Sequence, residues 1–457
     1  MSAQSTTSNR IVIVGGGISG LSIATQLAEA GLPVTLLEAS RLGFGATTRN
    51  QGWLHSGAWF APTQIELARK CSESFQKTMT FCPECVEPNS GTMVYLTADV
   101  GTDPSRWTKA WEAAEISYQK LAYEGLAKQF PNLSIPRTAH AYQLPDRAIR
   151  TDVLLHRLVV ASQQAGAEIR TDTPVARLIQ HDDRILGVET IRGEQIFARL
   201  VILAGNAKGG ALVPGFHTHT AGRQTDVEFV VLKAHLLALR PELCQRPFCI
   251  VDADGFSHIP HRPNSILGLN RWLPVGNGDD TQVVPAEVER IWEQVERFFP
   301  SVRREEHQAL SWAGSTVQAM SIDDVEPGRT PLPTVVDHSQ EAPALQNLLS
   351  VFSGRASLWA HLAMQTFQTV SEKLELTTPQ TNMPPWCSSR KEDYGEPYMA
   401  AKPQNSILYH CQKCGNVVCR ESDSIQPVCC DTHMEEACEC SAETQYSDLE
   451  TLTAIDN

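Results

Sequence analysis

The N-terminal part of the chain has two short apolar runs separated by a stretch of helical periodicity. The runs Ile11–Val14 and Val34–Leu37 have the length of buried strands. Between them, apolar residues recur at the spacing of one helix face, and Gly31 marks the predicted end of that helix. The positions on this face are Leu21, Ala24, Leu27 and Ala28. The order strand, helix, strand predicts a βαβ unit on a parallel sheet.

The turn between the first strand and the helix has the pattern G-x-G-x-x-G. Gly15 permits the tight turn, Gly17 lets backbone N–H groups approach a pyrophosphate, and Gly20 lets the helix pack closely on the strand. Glu38 follows Gly20 by 18 residues, where an acidic side chain bonds ribose hydroxyls. Because these parts are in register, the segment predicts dinucleotide binding. The alternative is a glycine-rich turn that binds nothing.

The loop after the second strand is rich in small and hydroxyl residues around Asn50 and Gly52, and His55 follows. A nicotinamide-dependent enzyme has no need of such a loop. The segment resembles the D-amino-acid oxidase-like (DAO) family of FAD-dependent oxidoreductases, in particular the branch that contains glycerol-3-phosphate and L-2-hydroxyglutarate dehydrogenases. The resemblance implies FAD as cofactor, with residues 46–50 near its pyrophosphate and residues 51–57 along its isoalloxazine.

Segments similar to the same family continue to about residue 375. They are residues 151–155 with 164–171, 174–177, 185–190 with 195–200, 201–205, 249–260 with 265–271, 312–314 with Asp323, Asp324 and Pro327, and 351–354 with a helix over about 357–374. The resemblance implies an α/β fold with a Rossmann-like FAD-binding domain, over about residues 10–90, 145–215 and 320–375. A mixed, mostly antiparallel substrate domain, over about residues 91–144 and 216–319, is interleaved with it.

The glycine motif and the resemblance together imply a set of cofactor contacts. The set is Gly15, Gly17, Ile18, Ser19, Gly20, Glu38, Ala39, Ala46, Thr47, Asn50, Gly52, Trp53, Val175, Ala204, Gly205, Gly354 and Arg355. Packing is the expected role of Trp59 and Trp272, and it is also a strong alternative for Trp53.

Three side chains are candidates for catalysis or substrate binding. His55 would act as a base or position the substrate, and its alternatives are a structural loop histidine or a covalent flavin link. Arg355 lies where the family usually has a small residue, and it would hold a substrate carboxylate or phosphate, or the N1–C2=O edge of the flavin. Arg271 would bind an anion, with a solvated strand charge as its alternative.

Composition narrows the function classes further. The chain has 457 residues, 42% of them hydrophobic, which is enough for a large core and more than one domain. Its formal net charge of −14 argues against a nucleic-acid or anionic-membrane partner. No apolar run is long enough to span a bilayer, and the first nine residues are polar. The cytoplasm is therefore the expected location.

The C-terminal region is set apart by its cysteines, since eight of the thirteen lie after residue 380. Residues 376–406 are polar and proline-rich, which predicts a linker. Residues 407–435 contain a C-x-x-C-G knuckle and an adjacent cysteine pair, and they resemble desulforedoxin, a small rubredoxin-like protein. The resemblance implies a metal site with the ligands Cys411, Cys414, Cys429 and Cys430. The acidic residues 436–457 predict a disordered tail.

The sequence does not decide which of two metal ions such a knuckle would bind. A site of four thiolates suits iron or zinc, and only iron would carry electrons. A cysteine-rich tail with redox-sensitive thiols is the alternative to a metal site.

Taken together, these features predict a flavoenzyme that oxidises a small substrate by hydride transfer to the flavin. The substrate class is an amine or amino acid, or else a 2-hydroxy acid or polyol phosphate. A dehydrogenase that passes electrons to the iron site, with a possible acceptor protein, is favoured. Two alternatives remain: an oxidase that uses dioxygen and carries a structural zinc tail, and a non-catalytic flavin-binding scaffold whose metal knuckle docks a partner.

Overall fold

The computed structural model describes residues 8–99, 101–213, 228–276, 278, 280–325, 329–341 and 343–376, and the backbone of short strands between 406 and 436. The helices are α1 Ile18–Glu29, α2 Ile65–Phe81, α3 Ser105–Ala113, α4 Tyr123–Gln129, α5 Thr151–Gln164, α6 Asn206–Gly210, α7 Pro285–Phe298 and α8 Trp359–Lys373. The strands up to residue 376 are β1 Ile11–Val14, β2 Val34–Leu37, β3 Trp53–Leu54, β4 Thr92–Leu96, β5 Gln119–Leu121, β6 Ala141–Ala148, β7 Glu168–Arg170, β8 Val175–His181, β9 Arg184–Thr190, β10 Gln195–Phe197, β11 Leu200–Leu203, β12 Val230–Arg240, β13 Phe248–Ile250, β14 Phe256–His261, β15 Asn264–Gly268, β16 Leu273–Val275, β17 Gln308–Gln318, β18 Thr334–Asp337 and β19 Leu348–Phe352. Those after it are β20 Ser406–His410, β21 Val417–Glu421, β22 Val428–Cys429, β23 Thr432–His433 and β24 Glu435–Glu436.

A six-stranded sheet in the order β18-β19-β11-β1-β2-β7 forms the first layer. Its strands are parallel except for β18, which pairs antiparallel with β19. The apolar residues predicted for one face of α1 are all buried, and α1 packs with α5 and α8 against this sheet. The prediction of a βαβ unit, and with it the α/β fold class, is confirmed.

A ten-stranded, mostly antiparallel sheet forms the second layer, in the order β16-β12-β15-β14-β13-β4-β6-β3, with β17 paired to β12 and β5 to β6. The pair β4 and β13 is parallel, so the sheet is mixed as predicted. The strands β14 and β15 are buried on both faces instead of alternating between core and solvent. Phe256 packs on one side with Phe298, and Ile259 packs on the other with Trp111, because elements cover the sheet on both sides.

The loop between β2 and β3 links the two layers. It leaves the parallel sheet at Leu37, and Trp53 then pairs with Ala148 at the edge of the large sheet. The ends of the parallel strands β1 and β2 therefore lie opposite one face of the ten-stranded sheet, and residues of both sheets line the space between them.

The predicted metal site falls largely outside the part of the chain that can be described. Cys411, Cys414 and Cys430 lie outside the described residues, and only the backbone of Cys429 is described. The strands β20 and β21, which precede and follow residues 411–416, pair antiparallel. Among the described side chains, no group of three or more histidines, cysteines and carboxylates is arranged to hold a metal ion.

No helix within the described ranges has both the length and the apolar character needed to cross a membrane.

Candidate cofactor and substrate site

A cavity of about 500 Å³ is lined by residues of both sheets. Most of the residues predicted for the site line it. They are Gly15, Gly17, Ile18, Ser19, Glu38, Ala39, Ala46, Thr47, Asn50, Trp53, His55, Val175, Ala204, Gly205, Gly354 and Arg355. The predicted residues that do not line it are Gly20, Gly52 and Arg271. The cavity has a glycine end at the turn Gly15–Gly20, and an aromatic end formed by Trp53, His55, Trp59, Trp272 and Arg355.

The glycine end depends on close backbone contacts. Gly15 has a φ of +116°, and a Cβ there would lie 2.8 Å from the carbonyl carbon of Ala204. A Cβ on Gly20 would lie 1.9 Å from the carbonyl oxygen of Gly15, although Gly20 itself does not reach the cavity. A Cβ on Gly17 would lie 2.8 Å from Thr47 Oγ1. Glycine is therefore required at these positions for packing as well as for access.

The N-terminus of α1 points a partial positive charge at this end of the cavity. The Ile18 N–H donates to Thr47 Oγ1 over 3.0 Å, and the first turn contains no acidic side chain. Since the helix dipole and its unpaired N–H groups favour an anion, the glycine end has the chemistry of a pyrophosphate site. The residues present thus fit the phosphate part of FAD.

Glu38 holds the glycine turn in place. Its Oε2 accepts a hydrogen bond from Gly16 N at 2.7 Å and its Oε1 accepts one from Ser40 N at 3.0 Å. Glu38 also lines the cavity, as does Val175 at the start of β8. The bond from ribose hydroxyls to Glu38 stays a prediction.

Asn50 and Gly52 shape the loop between the two ends. Asn50 Oδ1 accepts from Gly52 N at 2.7 Å, and the Asn50 amide donates to the carbonyl oxygen of Thr47. Gly52 has a φ of +75°, and a Cβ there would lie 2.4 Å from His261 Nε2. Gly52 does not line the cavity, and it packs so closely on His261 that a side chain at position 52 would collide with the imidazole.

The aromatic end brings together rings from distant parts of the chain. The Trp53 ring lies 4.3 Å from that of His55 and 6.2 Å from that of Trp59, centre to centre. Trp59 also packs on Trp107 at 5.6 Å. Trp59 and Trp272, for which the sequence predicts a packing role, also line the cavity.

His55 is held in an apolar environment beside a buried carboxylate. It is 8% exposed, and its Nδ1 lies 3.9 Å from Asp146 Oδ2, too far for a hydrogen bond. Burial, with a smaller contribution from the charge of Arg355, lowers the pKa of His55 well below its usual value. His55 is therefore a neutral imidazole at physiological pH, able to accept a proton.

Asp146 connects the residues around His55. It is fully buried and accepts hydrogen bonds from Trp53 Nε1 at 2.7 Å, Ser56 N at 2.9 Å, the Ser56 hydroxyl and Tyr95 OH at 3.0 Å. Burial raises the pKa of Asp146, and these hydrogen bonds oppose that rise. Sequence reasoning missed this residue, because its only local signal is one acid in the strand β6.

Arg355 follows Gly354, whose φ is +67°. Its Nε donates to Thr330 Oγ1 over 3.0 Å, and its guanidinium lies 4.6 Å from the ring centre of Trp272 and 5.7 Å from that of Phe60. Burial lowers the pKa of Arg355 to about 10, which still leaves it charged at pH 7. Among the described residues, no carboxylate pairs with this cation.

Arg271 is placed elsewhere. It does not line the cavity, and its Nε donates to Glu287 Oε2 on α7 over 3.1 Å. Its chain neighbours Asn270 and Trp272 do line the cavity. Arg271 lies in the loop between β15 and β16, and its side chain bonds to Glu287 instead of entering the site that its neighbours form.

Comparison with known proteins agrees with this geometry. A family model described as DAO, FAD dependent oxidoreductase, matches residues 10–341. A curated relative from Haemophilus influenzae, one of the subunits of an anaerobic glycerol-3-phosphate dehydrogenase, is 26% identical over 401 residues, which cover 85% of this chain and 69% of that protein. Glycine oxidase from Geobacillus kaustophilus superposes with a TM-score of 0.63 at 19% identity, covering 84% of this chain and 99% of that one. L-proline dehydrogenase from P. horikoshii gives 0.62 at 19%, covering 83% and 96%. The chain belongs to the DAO family and is an FAD-dependent oxidoreductase.

Proposed function

We propose that the cavity holds FAD in an extended pose and that a small substrate is oxidised at its aromatic end. The observation that carries this proposal is the continuity of the cavity, which is lined at one end by the turn Gly15–Gly20 and at the other by His55 and Arg355. The pyrophosphate would lie at the N-terminus of α1, beside Gly17 and Thr47. The isoalloxazine would lie along the loop that ends at His55.

The cofactor contacts that we assign are those the cavity supports. The residues are Gly15, Gly17, Ile18, Ser19, Glu38, Ala39, Ala46, Thr47, Asn50, Trp53, Val175, Ala204, Gly205 and Gly354. Gly20 and Gly52 support the site through packing instead of direct contact. The six-stranded sheet, together with α1, α5 and α8, would form the FAD-binding domain over about residues 10–90, 145–215 and 320–375, and most of the large sheet would form the substrate domain over about 91–144 and 216–319.

Bound FAD would accept a hydride from a carbon that carries nitrogen or oxygen. Arg355 would hold an anionic group of the substrate, because its charge is buried and unpaired among the described residues. His55 would accept the proton of the reacting amine or hydroxyl, and its Nε2 is the suitable atom, since Nδ1 is directed toward Asp146. The surrounding tryptophans would exclude water from the reaction.

For the electron acceptor, we propose a dehydrogenase that passes electrons to an iron site in the C-terminal region and from there to an acceptor protein. The support is the spacing of Cys411, Cys414, Cys429 and Cys430, together with the naming of the Haemophilus relative as a dehydrogenase subunit. Zinc in this site would leave the flavin to react directly with an acceptor.

The visible absorption spectrum of the full-length protein, purified in air, tests the cofactor proposal. We expect the two bands of an oxidised flavin, bleached under anaerobic conditions by one member of a panel of amino acids, N-methyl amino acids, 2-hydroxy acids and glycerol 3-phosphate. A colourless protein that cannot be reconstituted with FAD would contradict the proposal. A flavin that no substrate bleaches would favour the non-catalytic scaffold.

The full-length variant Cys411→Ser/Cys414→Ser tests the metal site. We expect the unmodified protein to contain iron with the charge-transfer bands of ferric tetrathiolate, and the variant to lose both. Anaerobic bleaching of the flavin by substrate should persist in the variant, while the rate of reduction of an external one-electron acceptor should fall. An unchanged acceptor rate would contradict the electron path, and zinc in place of iron would do the same.

A further inference from the structure

A row of tryptophan and tyrosine rings leads from the aromatic end of the cavity to the protein surface. Its members, which we call the aromatic path, are Trp53, Trp59, Trp107, Trp111 and Tyr118. Resting on the proposed function, we infer that the aromatic path carries single electrons from the surface to the aromatic end of the cavity, and thereby removes oxidising equivalents that arise beside the flavin. This role is separate from the oxidation of substrate.

Each ring of the aromatic path packs against the next. The ring centres lie 6.2 Å apart for Trp53 and Trp59, both of which line the cavity, and 5.6 Å apart for Trp59 and Trp107. The steps from Trp107 to Trp111 and from Trp111 to Tyr118 measure 6.1 and 5.3 Å. All four separations are those of packed aromatic pairs, so no step crosses a gap filled by water or saturated side chains. An electron can therefore move along the path in short hops.

Tyr95 provides a second connection in the buried middle of the aromatic path. Its ring centre lies 6.1 Å from that of Trp53, 6.4 Å from that of Trp107 and 5.9 Å from that of Trp111. A route through Tyr95 bypasses Trp59, so the loss of Trp59 alone would not interrupt the path. Among the described rings, every route from the cavity to the surface tyrosine passes through Trp111. Trp111 is therefore the position at which one substitution should break the path.

The residue types on the aromatic path fix the direction of transfer. Indole and phenol are among the side chains that lose one electron most readily, whereas neither accepts an electron under biological conditions. The path can therefore carry electrons into the cavity and oxidising equivalents out of it, but it cannot carry electrons from a reduced flavin to an outside acceptor. Phenylalanine packs in the same way and lacks this property, so Trp→Phe and Tyr→Phe substitutions separate conduction from packing.

Tyr118 has the features of a surface terminus. It is partly exposed, and its hydroxyl donates to Glu112 Oε1 over 2.8 Å. A phenol that loses an electron also loses its proton, and this carboxylate lies within reach to accept it. Glu112 is exposed, so the proton passes on to water. Tyr142 also contacts Trp111, but it is buried, and among the described residues no carboxylate accepts a hydrogen bond from its hydroxyl.

Each transfer moves one electron inward and releases one proton at the surface. Dioxygen that meets a reduced flavin forms hydrogen peroxide, and one further electron cleaves the peroxide to hydroxide and a hydroxyl radical. This radical takes an electron from Trp53 and becomes hydroxide. The resulting electron vacancy passes ring by ring to Tyr118, which gives its proton to Glu112 and is left as a neutral radical. A reductant of the ascorbate or thiol class in solution restores the phenol by donating a hydrogen atom.

Light excitation of the full-length, FAD-loaded protein tests the aromatic path without any substrate. A pulse of blue light makes the bound flavin a one-electron oxidant, and transient absorption records which side chains supply the electron. We expect the signal of a tryptophan radical first and that of a neutral tyrosine radical afterwards. In Tyr118→Phe the tyrosine signal should be lost while the tryptophan signal persists. Glu112→Gln should slow the appearance of the tyrosine signal, because the amide cannot take the proton.

Further variants locate the path. Trp111→Phe should also abolish the tyrosine signal, and Tyr118→Phe, which loses only a surface hydrogen bond, decides the result if Trp111→Phe does not fold. Trp292→Phe is the matched control, since Trp292 is buried in a different cluster of side chains, and it should leave both signals unchanged. Tyr142→Phe should do the same. A tyrosine signal of full size in Tyr118→Phe, or none in the unmodified protein, would overturn the path.

The protective role has a readout of its own. Repeated reduction of the FAD-loaded protein with dithionite and reoxidation in air, in buffer that contains ascorbate, should leave more oxidised Trp53 in Tyr118→Phe than in the unmodified protein or in Trp292→Phe. Mass spectrometry of peptides measures the oxidation, and equal oxidation in all three would overturn the role. FAD-loaded protein without the tyrosine signal would overturn this inference alone, whereas a protein that takes up no FAD would contradict the proposed function as well.

Discussion

The two ends of the cavity are built in different ways. The glycine end is built mainly from one continuous segment, Gly15 to Glu38, whose turn packs closely on Thr47 and on the backbone of Ala204. The aromatic end is assembled from side chains that lie far apart in sequence, from Trp53 to Arg355. The comparison teaches that a site made of backbone imposes residue types locally, whereas a site made of side chains depends on which strands and loops converge.

The physical reason lies in what each position tolerates. At Gly15 and Gly20, a positive φ or a backbone atom within 3 Å of a potential Cβ excludes every residue except glycine. At the aromatic end, a position needs only a ring or a charge of suitable size, which many folds supply for packing alone. A single substitution at the glycine end should therefore abolish FAD binding, whereas single substitutions at the aromatic end should each reduce activity in part.

The largest effect is expected from Gly20→Ala. The new Cβ would lie 1.9 Å from the Gly15 carbonyl oxygen, a backbone atom that can move only with the turn itself. We expect loss of nearly all bound FAD and a fall in stability of about 3 kcal/mol or more, as for overpacked cores. The ratio of flavin to protein absorbance and the thermal midpoint measure both.

Gly125→Ala is the matched control for this substitution. Gly125 lies on α4, is exposed, and a Cβ there would meet no atom within 4 Å. Since alanine favours helix, this change should raise stability by about 0.5–1 kcal/mol and leave flavin content unchanged. Equal flavin content in the two variants would contradict the view that the glycine end is fixed by backbone packing.

The next effect is expected at Arg355. Arg355→Met removes a cation that no described carboxylate neutralises, so we expect little loss of stability but a fall in kcat/KM of at least about 100-fold, as for a desolvated charge pair with substrate. Arg355→Lys should recover part of it. Steady-state kinetics on the substrate that bleaches the flavin provides the measurement.

Arg271→Met is the control for Arg355. Arg271 is partly exposed, bonded to Glu287 and outside the cavity, so its removal should change kcat/KM by no more than a few-fold. A large loss at Arg271 with none at Arg355 would reverse the assignment of the anion-binding residue.

A smaller effect is expected at Asp146. Asp146→Asn keeps the shape but replaces an acceptor oxygen by an amide donor, so one or more of its four donors loses its partner. We expect a loss of stability of about 1–3 kcal/mol from an unsatisfied buried group, and a smaller loss, of about 1 kcal/mol, for Tyr95→Phe. Denaturant unfolding of both variants measures the difference. An Asn variant as stable as the original would indicate that Asp146 is protonated in the folded protein.

The glycine end could be predicted from the sequence more fully than the aromatic end. The strands Ile11–Val14 and Val34–Leu37 and the face of α1 were predictable, because spacing and glycine placement are local properties. The resemblance to a known family brought His55 and Arg355 into consideration, and the structure places both at the cavity. Nothing in the neighbourhood of Asp146 indicated that a carboxylate of β6 would hold Trp53.

Arg271 is the opposite case, a residue that the sequence made a candidate for the site and that the structure places outside the cavity. Its type and its place near the large sheet made it a candidate for anion binding, with a solvated charge as the alternative. Arg271 lies in the loop between β15 and β16, where no strand alternation sets the direction of a side chain, and it bonds to Glu287 on α7. Trp272, the next residue, faces the cavity and stacks on Arg355. Spacing alone could not distinguish the two, because the ends of β15 and β16 were not predictable to one residue.

The smallest effect, and the finest test of the aromatic end, is its pH dependence. The pKa of His55 is lowered in the folded protein, so between pH 6.5 and that lower value the unfolded chain binds a proton that the folded one does not. Stability should therefore fall as pH drops below 6.5, by up to about 1.4 kcal/mol per pH unit for one such group, and His55→Gln should make that slope shallower. His235, with a pKa lowered to about 4 by burial and by Lys233, contributes in the same direction but does not line the cavity. His235→Gln should therefore make the stability slope shallower while leaving the pH profile of kcat/KM unchanged.

The pH profile of kcat/KM should show no acid limb near pH 6.5 if His55 is the base. A limb at pH 6.5 that disappears in His55→Gln would mean that water reaches the imidazole, and that the aromatic end is open where its packing indicates that it is closed.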